Sequence, residues 1–207
     1  METMNKADTL QGLTLDAGTA LDLLTGAAIA AHAKADLPSL NCVNIAVSNG
    51  VLTAVATDRY RLIYGEITLE GESVSLDPIS IPLADIKRLT AAIKAVPKRE
   101  LDRATLSLNR AGDILTASIN ASDGGTSLTI ALDTGAKFPP YKQLFECEPV
   151  AVSELQLNAD YLAAFAKVPT SGGGQRFTFT GERKPIKVAI NHDKIKWHGL
   201  LMPMRTN

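Results

Sequence analysis

The residues that most clearly indicate a function are basic ones, spaced along a predicted helix. Lys87 and Lys94 are seven positions apart, which places them on one helix face. Arg88 lies beside Lys87, and Lys98 follows shortly after Lys94. Such a face can contact the phosphates of a nucleic acid without reading its bases. An ordinary solvated helix face carries the same pattern, so the spacing alone leaves both interpretations open.

Other side chains that could do chemistry form no recognisable catalytic or metal-binding pattern. The chain has no Gly-x-x-x-x-Gly-Lys-Ser/Thr phosphate loop, dinucleotide fingerprint or Gly-x-Ser-x-Gly elbow. Its three histidines lack ligand-like spacing, and Asp58 has no second carboxylate positioned with it. Cys42 and Cys147 lie far apart and indicate neither a disulfide framework nor a zinc site. We therefore expect no enzyme activity, no metal and no cofactor.

Composition places the chain among ordinary globular proteins. Of 207 residues, 45% are hydrophobic and 21% are charged, with 21 Lys and Arg against 22 Asp and Glu. No apolar run approaches the length that spans a bilayer, and the first residues lack the features of a secretory signal. We therefore expect a cytoplasmic protein.

Three segments with helical periodicity must position the basic residues. Residues 17–35, 83–96 and 159–168 repeat apolar side chains at three- and four-residue steps. Asp16 and Asn158 stand where N-caps belong, and a proline follows each segment. On this prediction Lys34 ends the first helix and Lys167 ends the third.

Strand-like runs follow each helical segment. The Asn49-Gly50 pair between two such runs is typical of a tight hairpin. Each unit follows the plan strand–helix–strand–strand–strand, which gives antiparallel pairing and the α+β class. We predict two units in residues 1–145 and one further unit, or half domain, in residues 146–207. The predicted strands are 43–48, 51–57, 61–69, 105–109, 114–120, 127–132, 176–180, 186–191 and 196–202.

Four motifs, in order along the chain, resemble those of one protein family. Residues 56–62 read Ala-Thr-Asp-Arg-Tyr-Arg-Leu, residues 137–141 read Lys-Phe-Pro-Pro-Tyr, and residues 201–205 read Leu-Met-Pro-Met-Arg. Residues 157–162, Leu-Asn-x-x-Tyr-Leu, precede the last of these, with Lys-Pro-Ile at 184–186. Together they resemble the bacterial sliding clamp, the β subunit of DNA polymerase III. Its members carry similar Ala-Thr-Asp-Gly-His-Arg-Leu, Phe-Pro-Asp-Tyr and Met-Pro-Met-Arg segments.

The resemblance implies a DNA-clamp fold and a function in DNA replication. Repeated β-α-β-β-β units would place helices on the inner face of a ring around double-stranded DNA, with antiparallel sheets outside. Matching the family's motifs position by position gives a pocket for peptides of the polymerase and the clamp loader. The implied pocket residues are Thr57, Arg59, Tyr60, Arg61, Leu62, Pro139, Gln143, Leu144, Leu200, Met202, Pro203, Met204 and Arg205. The predicted sequence-independent DNA contacts are Lys34, Lys87, Arg88, Lys94, Lys98 and Lys167.

The chain also departs from the family pattern. Arg59 replaces a glycine, Tyr60 replaces a histidine, and Gln143 stands where an arginine is usual. Typical members have three domains of two units each, whereas only three units are found here. A closed ring would therefore need three or four chains, and the small size favours a phage or another mobile element. The alternative is a clamp-derived adaptor that binds clamp-interacting peptides without forming a ring.

Overall fold

The computed structural model describes residues 11–69, 75–135 and 137–204. Within these ranges three α-helices are formed, and a short 3-10 turn covers Lys142–Phe145. The helices are α1 (Ala17–Ala28), α2 (Leu83–Lys94) and α3 (Ala159–Phe165). The strands are β1 (Gln11–Asp16), β2 (Cys42–Ser48), β3 (Val51–Thr57), β4 (Arg61–Thr68), β5 (Leu76–Pro82), β6 (Thr105–Ala111), β7 (Ile114–Ala121), β8 (Gly124–Ala131), β9 (Arg176–Thr178), β10 (Ile186–Ile190) and β11 (Lys196–Leu201).

These strands form two antiparallel sheets, which confirms the α+β class. The first sheet has the order β1-β6-β7-β8, and the second has the order β5-β2-β3-β4-β11-β10-β9. The first two units exchange their leading strands, since β1 pairs with β6 and β5 pairs with β2. The third unit joins the same second sheet through the pairing of β11 with β4. The two segments of the predicted domain division, 1–145 and 146–207, therefore share one sheet.

The helices begin where the sequence predicts but end earlier. The carboxylate of Asp16 accepts a hydrogen bond from the Thr19 amide at 2.7 Å, which caps α1. The side chain of Asn158 caps α3 in the same way, accepting from the amide of Tyr161 at 3.2 Å. The predicted extension of α1 to residue 35 is wrong. The chain turns away after Ala28, and the His32 amide donates instead to the Leu40 carbonyl at 3.0 Å. A hydrogen bond within the following loop thus replaces a helical one, despite the high helix propensity of alanine.

The third unit lacks the strand that the repeated plan places before its helix. Residues 146–158 form no strand. Val150 donates one backbone hydrogen bond to the Phe179 carbonyl at 2.9 Å, and Pro149 has no amide hydrogen to donate. Leu155 and Leu157 pack against the core instead. The plan is thus wrong for this unit.

One predicted hairpin turn is confirmed, and one predicted strand begins earlier than the sequence indicates. Asn49 and Gly50 both adopt positive φ, 52° and 73°, as a type I′ turn requires, so this prediction is confirmed. The strand predicted at 127–132 begins earlier, because Gly124 pairs with Ala121 and already belongs to β8.

Trp197 of the third unit packs against the helix and sheet of the first unit. It lies opposite Gly65 in the β4–β11 pairing and is 1% exposed. A Cβ atom on Gly26 of α1 would lie 2.4 Å from the Trp197 ring, and one on Gly65 would lie 2.7 Å from it. Glycine is therefore required at both positions for the indole to fit between helix and sheet.

The middle of the second sheet is buried on both faces. Ala54, Ile63 and Trp197 pack in the main core with the helices. The alternate residues Val55, Leu62, Tyr64 and Leu200 form a smaller cluster on the opposite face. Residues 137–145, here called the strap, cover that cluster with their aromatic side chains. No helix in the described ranges is long and apolar enough to cross a membrane.

Candidate functional site

Strand pairing brings the predicted site motifs together. Leu62 lies opposite Leu200 in the β4–β11 register. The Met202 amide donates to the Tyr60 carbonyl at 2.8 Å, and the Met204 amide donates to the Gln156 carbonyl at 2.8 Å. Two segments that are distant in the chain thus become neighbours, and the strap lies over them.

The turn between β3 and β4 is held by its own side chains. The carboxylate of Asp58 accepts from the backbone amides of Tyr60 at 3.0 Å and Arg61 at 2.9 Å. It also accepts from the Arg61 guanidinium at 3.0 Å, and that guanidinium lies 5.0 Å from the centre of the Tyr161 ring. Asp58 therefore shapes the turn, and Arg61 is already paired rather than free for a ligand.

Arg59 and Tyr60 project from this turn. Arg59 adopts φ 80°, a conformation that glycine reaches without strain and other residues rarely adopt. Its amide donates to the Thr57 hydroxyl at 3.1 Å. Tyr60 is 57% exposed, and its ring stacks on Tyr161 at 5.7 Å between centroids. Arg59 therefore places a cation at the surface, and Tyr60 places an aromatic ring there.

An aromatic cluster anchors the strap to the sheet. The ring of Tyr64 lies 5.4 Å from that of Tyr141 and 6.1 Å from that of Phe145. The hydroxyl of Tyr64 donates to Glu66. Burial is the main cause that raises the pKa of Tyr64 above its ordinary value, and burial likewise raises the pKa of Tyr141 to about 12. Both phenols are therefore uncharged at neutral pH.

A cavity lies between this turn, the strap and the loop after α1. The central cavity, as we call it, measures about 300 Å³. The predicted residues Thr57, Arg59, Leu62, Pro139 and Leu144 line it. Sequence reasoning missed Leu40, Ser39, Lys137 and Tyr141, which also line it. Leu40 reaches the cavity because α1 ends early, and no periodicity in the sequence signals that loop.

Two further cavities adjoin the central one. The Tyr60 cavity, about 410 Å³, is lined by Lys34, Tyr60 and Tyr161 among others. The strap cavity, about 640 Å³, lies on the other side of the strap and includes Arg110 and Gln143 in its lining. The Gln143 side chain donates to the Pro140 carbonyl at 3.3 Å.

Several predicted pocket residues lie beside these cavities rather than in their walls. Leu200 is buried in the cluster beneath the strap. Met202 and Pro203 are half-buried and Met204 is 46% exposed, but none of these four residues lines the three cavities as described. Arg205 lies outside the described residues.

The predicted basic residues occupy three different settings. On α2, Lys87 and Lys94 are exposed, opposite the buried stripe that includes Leu89, as the helical spacing predicts. Arg88 pairs with Asp85 at 2.7 Å, and Lys98 is exposed just after this helix.

The other two predicted contacts do not lie on helices. Lys34 lies in the loop after α1, where it lines the Tyr60 cavity, and Lys167 follows the end of α3. The prediction that they end the first and third helices is wrong. Within its 12 residues, α1 carries no Lys or Arg. Across the described ranges, no group of three or more His, Cys, Asp or Glu could hold a metal ion.

The fold is that of bacterial DNA sliding clamps. No protein-family model and no curated protein sequence matches the chain. Among solved structures, the DNA polymerase III β chain of Streptococcus pneumoniae superposes with a TM-score of 0.78 at 16% identity, over 99% of this chain and 67% of that one. The β subunit of Streptococcus pyogenes gives 0.77 at 17% identity, over 99% and 68%.

The sliding clamp of Pseudomonas aeruginosa, solved with bound griselimycin, gives a similar result. Its TM-score is 0.76 at 16% identity, over 100% of this chain and 68% of that one. The expected structural resemblance to bacterial clamps is therefore confirmed. The chain spans about two thirds of the length of these clamps.

Proposed function

We propose that this chain is a DNA sliding clamp, a non-enzymatic processivity factor. It encircles double-stranded DNA as a homo-oligomeric ring and tethers a polymerase through a short peptide motif. The observation that carries the proposal is the convergence of residues 57–62, the strap and residues 200–204 beside the central cavity, in a clamp fold. Binding and sliding by such a ring require no cofactor.

The central cavity suits apolar anchors of a peptide. Leu40, Leu62 and Leu144 supply apolar walls, and a cavity of about 300 Å³ holds one or two apolar side chains. Each buried side chain contributes about 1.5–3 kcal/mol. The clamp of Pseudomonas aeruginosa has the same fold and is solved with bound griselimycin, which supports ligand binding by this fold.

DNA contact is assigned mainly to α2. Lys87 and Lys94 are exposed on one face, and their side chains have no hydrogen bond or ion pair to other described residues. Free lysines of this kind contact phosphates weakly and without sequence preference, as sliding requires. Lys34, Arg88, Lys98 and Lys167 remain predicted additional contacts.

Charge reversal on α2 tests this assignment. The double variant Lys87→Glu, Lys94→Glu is expected to weaken binding to duplex DNA and to lower the salt slope of the affinity by about 2, near 0.9 per lost contact. The matched control Arg183→Glu, Lys184→Glu changes the same charge in the turn between β9 and β10. DNA binding by the α2 variant equal to that of the control would contradict the assignment, provided circular dichroism shows both folded.

Ring formation is assigned to the open edges of the two sheets. β8 has no strand partner on one side among the described residues and carries neither charge nor proline along eight residues. Such an edge is a template for pairing with another chain. Among the described strands, β9 forms one of the two edges of the second sheet, and β5 forms the other. Head-to-tail pairing of unlike edges generates a closed ring when the rotation permits.

Light scattering coupled to size exclusion, over a concentration series, tests the ring. A trimer near 66 kDa or a tetramer near 88 kDa, three or four times the 22.0 kDa chain, would support it. A persistent monomer or dimer would favour the alternative, an adaptor that keeps the peptide site without a ring. The missing strand before α3 is the observation that favours this alternative.

A further inference from the structure

We propose that the peptide bound here is acidic on both sides of its apolar anchors, with Arg59 and Lys137 contacting the two acidic flanks. The inference rests on the peptide-binding function proposed above and adds the chemistry of the partner. It follows from the order of the cavities, from the charges that line them and from the backbone of Arg59.

The three cavities adjoin one another through shared lining residues, and together we call them the track. Arg59 lines both the Tyr60 cavity and the central cavity. Lys137 lines both the central cavity and the strap cavity, together with Pro139 and Tyr141. The apolar central cavity is therefore bounded by one basic residue at each of its two junctions.

The charges along this track are mostly positive and unpaired. Arg59, Lys137, Lys34 and Lys142 have no side-chain hydrogen bond or ion pair with other described residues. The acidic residues that line the cavities are already engaged. Asp58 is bound to Arg61, and Asp133 accepts from the Gly135 amide at 2.9 Å. Free cations beside an apolar cavity favour a ligand with carboxylates next to apolar anchors.

The backbone of Arg59 supports a functional role for its side chain. At φ 80° a residue other than glycine is strained. Such strain persists where the surrounding structure holds it, often at binding sites. Glycine would form the same turn with less backbone strain. The arginine is therefore explained by a role of its side chain and not by the needs of the turn.

Four synthetic fluorescent peptides would test the inference. All carry the same two leucine anchors, with three residues added on each side. The flanks are acidic on both sides, amide (Asn and Gln) on both sides, or acidic on one side only in either direction. Fluorescence anisotropy should show the doubly acidic peptide binding roughly two- to tenfold more tightly than the amide peptide, with the difference shrinking at high salt.

Two variants assign the flanks. Arg59→Gly should reduce binding of one singly acidic peptide roughly two- to fivefold, and Lys137→Gln should do the same for the other. Lys184→Gln, which removes an equal charge at an exposed position in the turn between β9 and β10, is the control and should leave all four affinities unchanged. Thermal unfolding should show Arg59→Gly at least as stable as the parent chain, because glycine relieves the positive φ.

The possible results separate the two proposals. Equal affinity of the parent chain for the acidic and amide peptides would overturn the inference while leaving the peptide site intact. A preference that survives both variants would overturn the roles of Arg59 and Lys137. Failure of all four peptides to bind would instead count against the proposed peptide-binding function.

Discussion

The two sheets differ most on the face that points away from the helices. In the first sheet this face carries hydroxyl groups that pair across strands, Thr14 with Ser107 at 3.0 Å and Ser118 with Ser127 at 2.9 Å. In the second sheet the same face carries the apolar cluster beneath the strap. Polar residues need no cover, whereas apolar ones must be shielded from water. The candidate binding cavities lie where that cover meets the sheet.

Burial along the strands shows the origin of the difference. In β6 and β7 buried and less buried residues alternate, as expected for a sheet with one solvated face. In β3 and β4 four consecutive residues are buried, which requires packing on both faces. The second sheet therefore contains both the β4–β11 junction between the first and third units and the candidate site.

The largest expected effect is loss of the inner packing of the second sheet. Trp197→Ala should lower the free energy of unfolding by about 3–5 kcal/mol, because it empties the space between Gly26 and Gly65. Urea unfolding followed by far-ultraviolet circular dichroism measures this effect. The control Trp197→Phe keeps part of the contact and should cost less. A loss below about 1 kcal/mol for Trp197→Ala would mean that the indole does not stabilise the contact between the first and third units.

A smaller effect is expected on the outer face of the same sheet. Tyr141→Ala removes an aromatic anchor of the strap and a wall of the central cavity. It should lower the free energy of unfolding by about 1–3 kcal/mol, since Tyr141 is only half-buried. Ser118→Ala on the outer face of the first sheet is the matched change and should cost about 0.5 kcal/mol or less. Equal costs would remove the contrast between the two faces.

The subtlest effect is a pH dependence confined to the second sheet. Burial raises the pKa of Tyr141 from the ordinary value of 10.0 to about 12, so the folded state disfavours the phenolate. Its contribution to stability is complete below pH 10 and is lost as the pH rises through about 12. The urea midpoint should fall across this window, and Tyr141→Phe should reduce the fall. An identical pH profile for parent and variant would show that ionisation of the Tyr141 phenol does not affect the stability of the fold.

Local signals in the sequence predicted much of the fold. Asp16 and Asn158 cap helices as predicted, and Asn49-Gly50 forms the expected turn. The apolar stripe of α2 is buried with Lys87 and Lys94 opposite it. Each of these features depends on residues within a few positions of one another, which is why the sequence alone was sufficient.

Part of the candidate site was also accessible from the sequence through its motifs. Thr57, Leu62 and Pro139 line the central cavity as the family resemblance implied. Leu40 and Lys137 were missed, because their positions depend on where the loop after α1 and the strap pack. Lys34 was placed on a helix, whereas it lines the Tyr60 cavity from a loop.

The sequence by itself determined the helix starts, the turns and the antiparallel α+β class, since caps, glycines and periodicity act locally. Only the tertiary structure decided that β4 pairs with β11, that α1 ends at Ala28, and that no strand precedes α3. The strand pairing depends on residues far apart in the chain, and the other two outcomes depend on how the loops pack against the rest of the structure. Local sequence preferences do not decide which strands pair. The native pairing is favoured because it buries Trp197 and the apolar face under the strap.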